Sequence, residues 1–221
     1  MAGKSIAVLA SGRGTNLQSL IDGINSGSIK NAALKLVVSD NQRAYALERA
    51  MTGGIEAIWI NPQAYKGRGD YNDAIMEEFR KRDIDLVVLA GYMRILSAAF
   101  VRAYRDAIIN VHPSLIPSFC GKGYYGERVH REALEYGVKV TGATVHFVDE
   151  GTDTGPIILQ QAVEVLPGDT VDSLAKRVLQ VEHTLLPRAV DLYCRGCLSI
   201  EGRRVIICGE NNGGALCKGE H

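Results

Sequence analysis

The stretch "NVHPSLIPSF" sets an amide, Asn110, and an imidazole, His112, two residues apart at the end of the apolar run "AII". Alternate residues of a strand point to the same face, so both groups look into one space if extended geometry holds through Val111. An amide N–H and an ionisable ring aimed at one point suit a reaction that builds negative charge on a carbonyl oxygen. Taken alone, such a pair is more often a satisfied polar corner of a core, and a third member is needed. Candidates stand in "VDEGTDTGP", where Asp149, Glu150 and Asp153 precede Gly155 and Pro156 in a turn between two strand-like runs. A carboxylate folded back onto His112 would orient the ring and favour its charged form. Spacing alone does not choose among the three acids, and Asp and Gly also populate such turns for purely local reasons.

A second constellation is "ASGRGTNLQ", between an apolar run and an amphipathic one. A strand-to-helix junction presents backbone N–H groups and the positive end of a helix dipole, which together attract an anion. Gly12 and Gly14 leave the backbone clear for a phosphate, while Thr15 and Asn16 either cap the helix or donate to the anion. The stretch lacks the third glycine of a dinucleotide fingerprint and the Gly-Lys-Thr/Ser ending of a P-loop, so a phosphomonoester is the better match. Its bland alternative is a tight turn with an N-cap.

Other reactive residue types read as structural. His146, flanked by Val145 and Phe147, suits a strand residue with a satisfied ring; His130 and His183 fall at helical positions, and Trp59 reads as core. No His pair has zinc-binding spacing, and "CRGC" at Cys194 and Cys197 has no second ligand pair at a zinc-ribbon interval, so no metal is expected. Five cysteines, an odd number, do not describe a disulfide framework, and they read as ordinary thiols.

The elements that must position these groups alternate regularly. "SIAVLA", "AALKLVVSD", "IEAIWI" and "IDLVVLAGY" are short runs rich in Val, Ile and Leu, each followed by an amphipathic segment, and "AIINVHPS" supplies a fifth strand. Strands apolar on both faces belong to a covered parallel sheet, and repeated strand-helix units wind it doubly, in the manner of a Rossmann fold. Beyond the glycine- and tyrosine-rich "SFCGKGYYGERV", the runs "VKVTGATVHFVDE" and "GPIILQQAVEVLP" have no helix between them and are expected to be antiparallel. A long helical segment from Asp169 carries an interruption at Pro187, "LSIEGRRVIICGE" reads as a hairpin, and the tail from 206 to 221 is expected to be flexible.

The expectation is a mixed α/β fold: one domain over residues 1–221, with a nucleotide-binding half over about 1–110 and a second half over about 111–205. The 25 basic residues balance 25 acidic ones, which gives no reason to expect nucleic acid or a membrane as partner. The apolar stretch near the N-terminus is cut off by Ser11 and Gly12, too soon for a signal segment or a membrane span, and a cytoplasmic protein is expected.

In order, "SGRGTN", "LAGYMRIL", "NVHPSLIP" and "DTGPII" form a set that resembles the glycinamide ribonucleotide formyltransferases, folate-dependent enzymes of purine synthesis, over residues 4–196. The resemblance implies transfer of a formyl group from 10-formyltetrahydrofolate to the amine of glycinamide ribonucleotide, without a metal, by a monomer or homodimer. It implies a catalytic trio at Asn110, His112 and Asp153. It further implies a phosphate cradle at Gly14, Thr15 and Asn16, and Glu182 on the ribose hydroxyls. For the folate it implies a pocket at Met93, Arg94, Ile95 and Leu96, together with Asn110 and Asp149, with Arg68 near the glutamyl tail. A cis Ile116–Pro117 bond is likewise implied. The sequence departs from the pattern at "CGKGYYGERVH", which is longer than the equivalent loop of the best-known bacterial members, and the resemblance is weakest over residues 119–128.

In that chemistry a primary amine attacks the formyl carbon, Asn110 and protonated His112 donate to the oxyanion, and Asp153 orients the ring and helps relay a proton through water. Three rivals compete. A 10-formyltetrahydrofolate hydrolase would turn a similar trio on water, and a methionyl-tRNA formyltransferase would need a basic C-terminal domain. A non-catalytic nucleotide sensor would have no need for the trio to converge.

Overall fold

A computed structural model describes residues 3–208; most of the expected flexible tail, including "NNGGALCKGEH", lies outside the described residues. Strands β1 (Lys4–Leu9), β2 (Ala32–Ser39), β3 (Glu56–Trp59), β4 (Leu86–Leu89) and β5 (Ile108–His112) alternate with helices α1 (Thr15–Asn25), α2 (Tyr45–Thr52), α3 (Arg68–Arg80) and α4 (Ala98–Ala103). Then follow α5 (Glu127–Tyr136), β6 (Val140–Phe147), β7 (Ile157–Glu164), α6 (Val171–Cys194), β8 (Leu198–Glu201) and β9 (Arg204–Ile207). The nine strands among the described residues form one sheet in the order β3-β2-β1-β4-β5-β6-β7-β9-β8. Strands β1 to β5 pair parallel, β6 is antiparallel to both β5 and β7, and the expected mixed architecture is observed.

Two apolar layers hold the sheet, because each inner strand is apolar on both faces. In β1, Ile6 and Val8 face the layer containing Leu17 and Leu20 of α1 and Leu186 and Val190 of α6, while Ala7 and Leu9 face the layer containing Phe79 of α3 and Phe100 of α4. Phe79 and Phe100 meet edge-on with ring centroids 5.9 Å apart. In β5, Ile109 and Val111 face the α6 layer and Ile108 the other, so Asn110 and His112 continue the Ile108 face.

Four expectations need correction. Trp59 is 40 % exposed, because β3 is an edge strand and its last residue lies at the rim of the sheet. Pro187 does not interrupt α6, which runs unbroken for 24 residues. An interior proline costs a helix about 3 kcal/mol, and burial of Leu185, Leu186, Ala189 and Val190 around it outweighs that loss. The tail does not loosen at residue 206, since Ile206 and Ile207 pair with Ser199 and Leu198 in the terminal hairpin. Finally, Cys120, Cys194 and Cys197 are free thiols as expected, but Cys208 is disulfide-bonded.

Candidate active site

The antiparallel register of β5 and β6 sets Asn110 directly opposite His146 and His112 opposite Thr144. Cross-strand neighbours lie close enough to interact, and Asn110 Nδ2 stands 3.1 Å from His146 Nε2. The tautomer follows from the other side of the ring: His146 Nδ1 lies 2.7 Å from the Phe147 carbonyl, which only accepts, so Nδ1 carries the hydrogen. Burial pushes the His146 pKa down, keeping the ring neutral and Nε2 bare. Asn110 therefore donates one amide hydrogen to His146, and its nitrogen has a second hydrogen left for a ligand.

His112 is 4 % exposed, and its Nε2 lies 2.9 Å from the Phe119 carbonyl, to which it donates. Its Nδ1 faces Asp153 Oδ2 at 3.6 Å. Because Nε2–H is already committed, Nδ1 carries a hydrogen only when the ring is cationic, and a donor role toward a substrate falls to that cation. Asp153 Oδ2 also accepts from the Gly121 amide at 2.9 Å, while Oδ1 lies 3.8 Å from His146 Nε2. Asp153 adopts a left-handed backbone, φ 56°, unusual for a residue other than glycine and a local strain of the kind that collects at functional sites. Two residues on, Gly155 admits no side chain, since a Cβ there would stand 1.8 Å from the Phe147 carbonyl oxygen. Of the three acids in this turn, Asp153 is the one that faces His112. Glu150 pairs with Arg102 at the surface at 3.0 Å, and Asp149 is spent within the turn on the Gly151 amide and the Thr154 hydroxyl.

Asn110, His112, His146 and Asp153 line one cavity of about 370 Å³ together with Met93, Arg94, Ile95, Leu96 and Asp149. Arg94 Nε donates to Asp40 Oδ2 at 2.7 Å, and its guanidinium lies over the Tyr71 ring, 5.7 Å from the centroid. Arg68 does not line this cavity; it borders an adjoining one shared with Met93, Arg94 and Ile95. Between His112 and the loop that lines the cavity from Gly121, the Ile116–Pro117 peptide is cis. Nearby on α5, burial and the His112 ring hold His130 down to a pKa of about 4. Among the described residues, no group of three or more His, Cys, Asp or Glu is placed to hold a metal ion.

The glycine turn lies beside this cavity, tied to it by Ser11, whose amide donates to the Gly91 carbonyl and whose hydroxyl accepts from the Met93 amide. Gly14, φ 68°, is the N-cap of α1 and makes no side-chain cap, so the first amides of the helix are not capped by a side chain. A Cβ at Gly14 would stand 2.7 Å from Ala46 Cα, a clash that explains the glycine. Asn16 does not cap the helix. Its Nδ2 donates to Glu182 Oε2 at 2.6 Å, joining α1 to α6 across 166 residues, and its Oδ1 is buried without a partner.

Burial raises the Glu182 pKa from 4.5 to about 7, against the opposing pull of the Asn16 hydrogen bond. The folded chain thus binds this proton more tightly than the unfolded chain does, so its contribution to stability declines as pH rises from 4.5 to about 7 and is level above that. Glu182→Gln keeps the shape and removes the titration. Its thermal midpoint is expected to gain on the parent's between about pH 5 and about pH 8; a constant offset across that interval would refute the buried, uncharged acid.

Residues 4–190 match the formyl transferase family. The chain belongs to this family. Among formyl transferase relatives, the human trifunctional purine biosynthetic protein adenosine-3 is 44 % identical over 206 residues, which cover 92 % of this chain but only 19 % of that protein. The Bacillus subtilis phosphoribosylglycinamide formyltransferase is 38 % identical over 85 % of this chain and 93 % of its own length. The crystal structure of glycinamide ribonucleotide transformylase 1 from Symbiobacterium toebii superposes with a TM-score of 0.88 at 48 % identity, covering 93 % of this chain and 94 % of that one. No helix among the described residues of this formyl transferase is long and apolar enough to cross a membrane.

Sequence reasoning missed one residue of the cavity wall and one residue that holds another wall residue in place. His146 was read as structural because only the β5–β6 register reveals that it faces Asn110. Asp40 gave no signal, since its role depends on Arg94, 54 residues away.

Proposed function

We propose that the protein transfers the formyl group of 10-formyltetrahydrofolate to the primary amine of glycinamide ribonucleotide, giving formylglycinamide ribonucleotide in purine synthesis. The observation that carries this reading is the convergence of Asn110, His112 and Asp153 on one cavity beside an uncapped helix start. The phosphate binds the first amides of α1 past Gly14, at Thr15 and Asn16, where the dipole favours an anion. The ribose hydroxyls donate to Glu182, a better acceptor once ionised. The folate lies against Met93, Arg94, Ile95, Leu96 and Asp149, and its glutamyl tail extends toward Arg68.

In this geometry the amine nitrogen forms its bond to the formyl carbon, and the carbonyl electron pair moves onto oxygen. The free Asn110 N–H and the His112 Nδ1–H hold that oxyanion. Asp153 takes a proton from the new ammonium through water. The tetrahedral centre collapses by breaking its bond to the folate N10, which keeps the electron pair and receives a proton. We place the reaction in the cytoplasm and expect a monomer or homodimer.

An absorbance assay of 10-formyltetrahydrofolate, with and without glycinamide ribonucleotide, tests the reading. Formyl loss only when the ribonucleotide is present is the expected result. Equal loss without it would mean a hydrolase, and no loss in either arm would mean a binding protein.

A further inference from the structure

Residues 121–126 all line the cavity of the proposed catalytic trio. The loop is built rather than loose. Phe119, Gly121, Gly123 and Gly126 all have positive φ, a conformation that three glycines adopt without a side-chain penalty. Its backbone is fastened to the catalytic groups at the Phe119 carbonyl on His112 and the Gly121 amide on Asp153. Phe119 packs edge-on against Tyr124 and Tyr136, and Arg128 lies over the Tyr124 ring.

This anchoring leaves two side chains unspent at the cavity. Tyr125 is 63 % exposed, and Met93 and Ile95, which line the same cavity, are 54 % and 49 % exposed. Three large, uncovered side chains around one opening suit a flat aromatic guest between them. Lys122, also exposed on the wall, makes no ion pair or hydrogen bond among the described residues, whereas Arg94, the other strong cation of the wall, is held by Asp40. The inner wall formed by Leu89, Leu96 and Val101 is buried and suits the bicyclic head of a folate, which leaves the aminobenzoyl ring and its carboxylates for the exposed rim.

We propose that the loop over residues 120–126 reads the aminobenzoyl-glutamyl end of the folate: Tyr125 covers the aminobenzoyl ring opposite Met93 and Ile95, and Lys122 pairs with a glutamyl carboxylate. This rests on the folate reading of the cavity. The test measures calorimetric dissociation constants for two non-reactive 5,10-dideazatetrahydrofolate analogues, one with the glutamyl group and one ending at the benzoyl ring. Tyr125→Ala weakens both about three- to tenfold, and Tyr125→Phe restores them. Lys122→Ala weakens only the glutamyl analogue, about threefold, and the difference fades at high salt. In steady-state assays both variants raise the KM for the folate while kcat stays within about twofold of the parent. Parent-like binding of both analogues by both variants would overturn the role of the loop alone. Failure of the unaltered protein to bind either analogue would overturn the folate reading with it.

Discussion

Replacing Asn110 or His112 by alanine lowers turnover at least a hundredfold and leaves the protein folded. Loss of one oxyanion donor typically raises a barrier by about 2.7–4 kcal/mol, a factor of about a hundred to a thousand. Both proposed donors sit on the β5–β6 ladder, Asn110 opposite His146 and His112 opposite Thr144, so the strand pairing fixes where their side chains start. The fold survives because each variant forfeits few interactions: Asn110 its contact with His146, His112 its contacts with Phe119 and Asp153. A neutral hydrogen bond contributes about 0.5–1.5 kcal/mol against a total stability of about 5–15 kcal/mol. Steady-state rates at saturating substrates, read beside thermal midpoints, separate the two effects. The double variant should lose less than the product of the single losses, since both groups serve one oxygen. Full activity in either purified single variant would remove the mechanism.

Asp153→Asn lowers kcat by about two to four orders of magnitude, the range of a lost general acid–base group. Asparagine nearly matches aspartate in volume, and its carbonyl oxygen still accepts from the Gly121 amide, so the loop keeps its anchor. What disappears is the negative charge facing His112 Nδ1 at 3.6 Å and, in the proposed mechanism, the basic oxygen that receives the amine proton. KM for both substrates should change little, because the carboxylate acts on the proton rather than on binding. A large KM change with kcat preserved would show that Asp153 binds substrate and does not move a proton.

Much of this arrangement is legible in the sequence because it depends on local pattern. The parallel strands announce themselves as Val, Ile and Leu runs, and the strand end at "AIIN" puts Asn110 and His112 on one face by the two-residue period alone. What the sequence leaves open depends on register and on long-range pairing. The opposition of Asn110 and His146 requires knowing that β6 is antiparallel to β5 with Phe147 beside Ile109. Asp153 stands apart from Asp149 and Glu150 only once each neighbour's partner is known. Asn16 looks like a helix cap by its position and is diverted because α6 brings Glu182 against it. Trp59 misleads for a related reason: composition does not say which strand closes the edge of a sheet.

One division of labour follows from the strand order. Asn110 and His112 sit on β5, parallel to β4 on one side and antiparallel to β6 on the other, whereas Asp153 arrives on a turn outside the ladder. On the proposed reading, oxyanion stabilisation therefore rests on strand positions paired on both sides, while proton transfer rests on a carboxylate held by its turn and by the Gly121 amide. An insertion in that turn would displace the carboxylate, and with it the charge facing His112, while leaving the strand pairing that carries Asn110 and His112 in place.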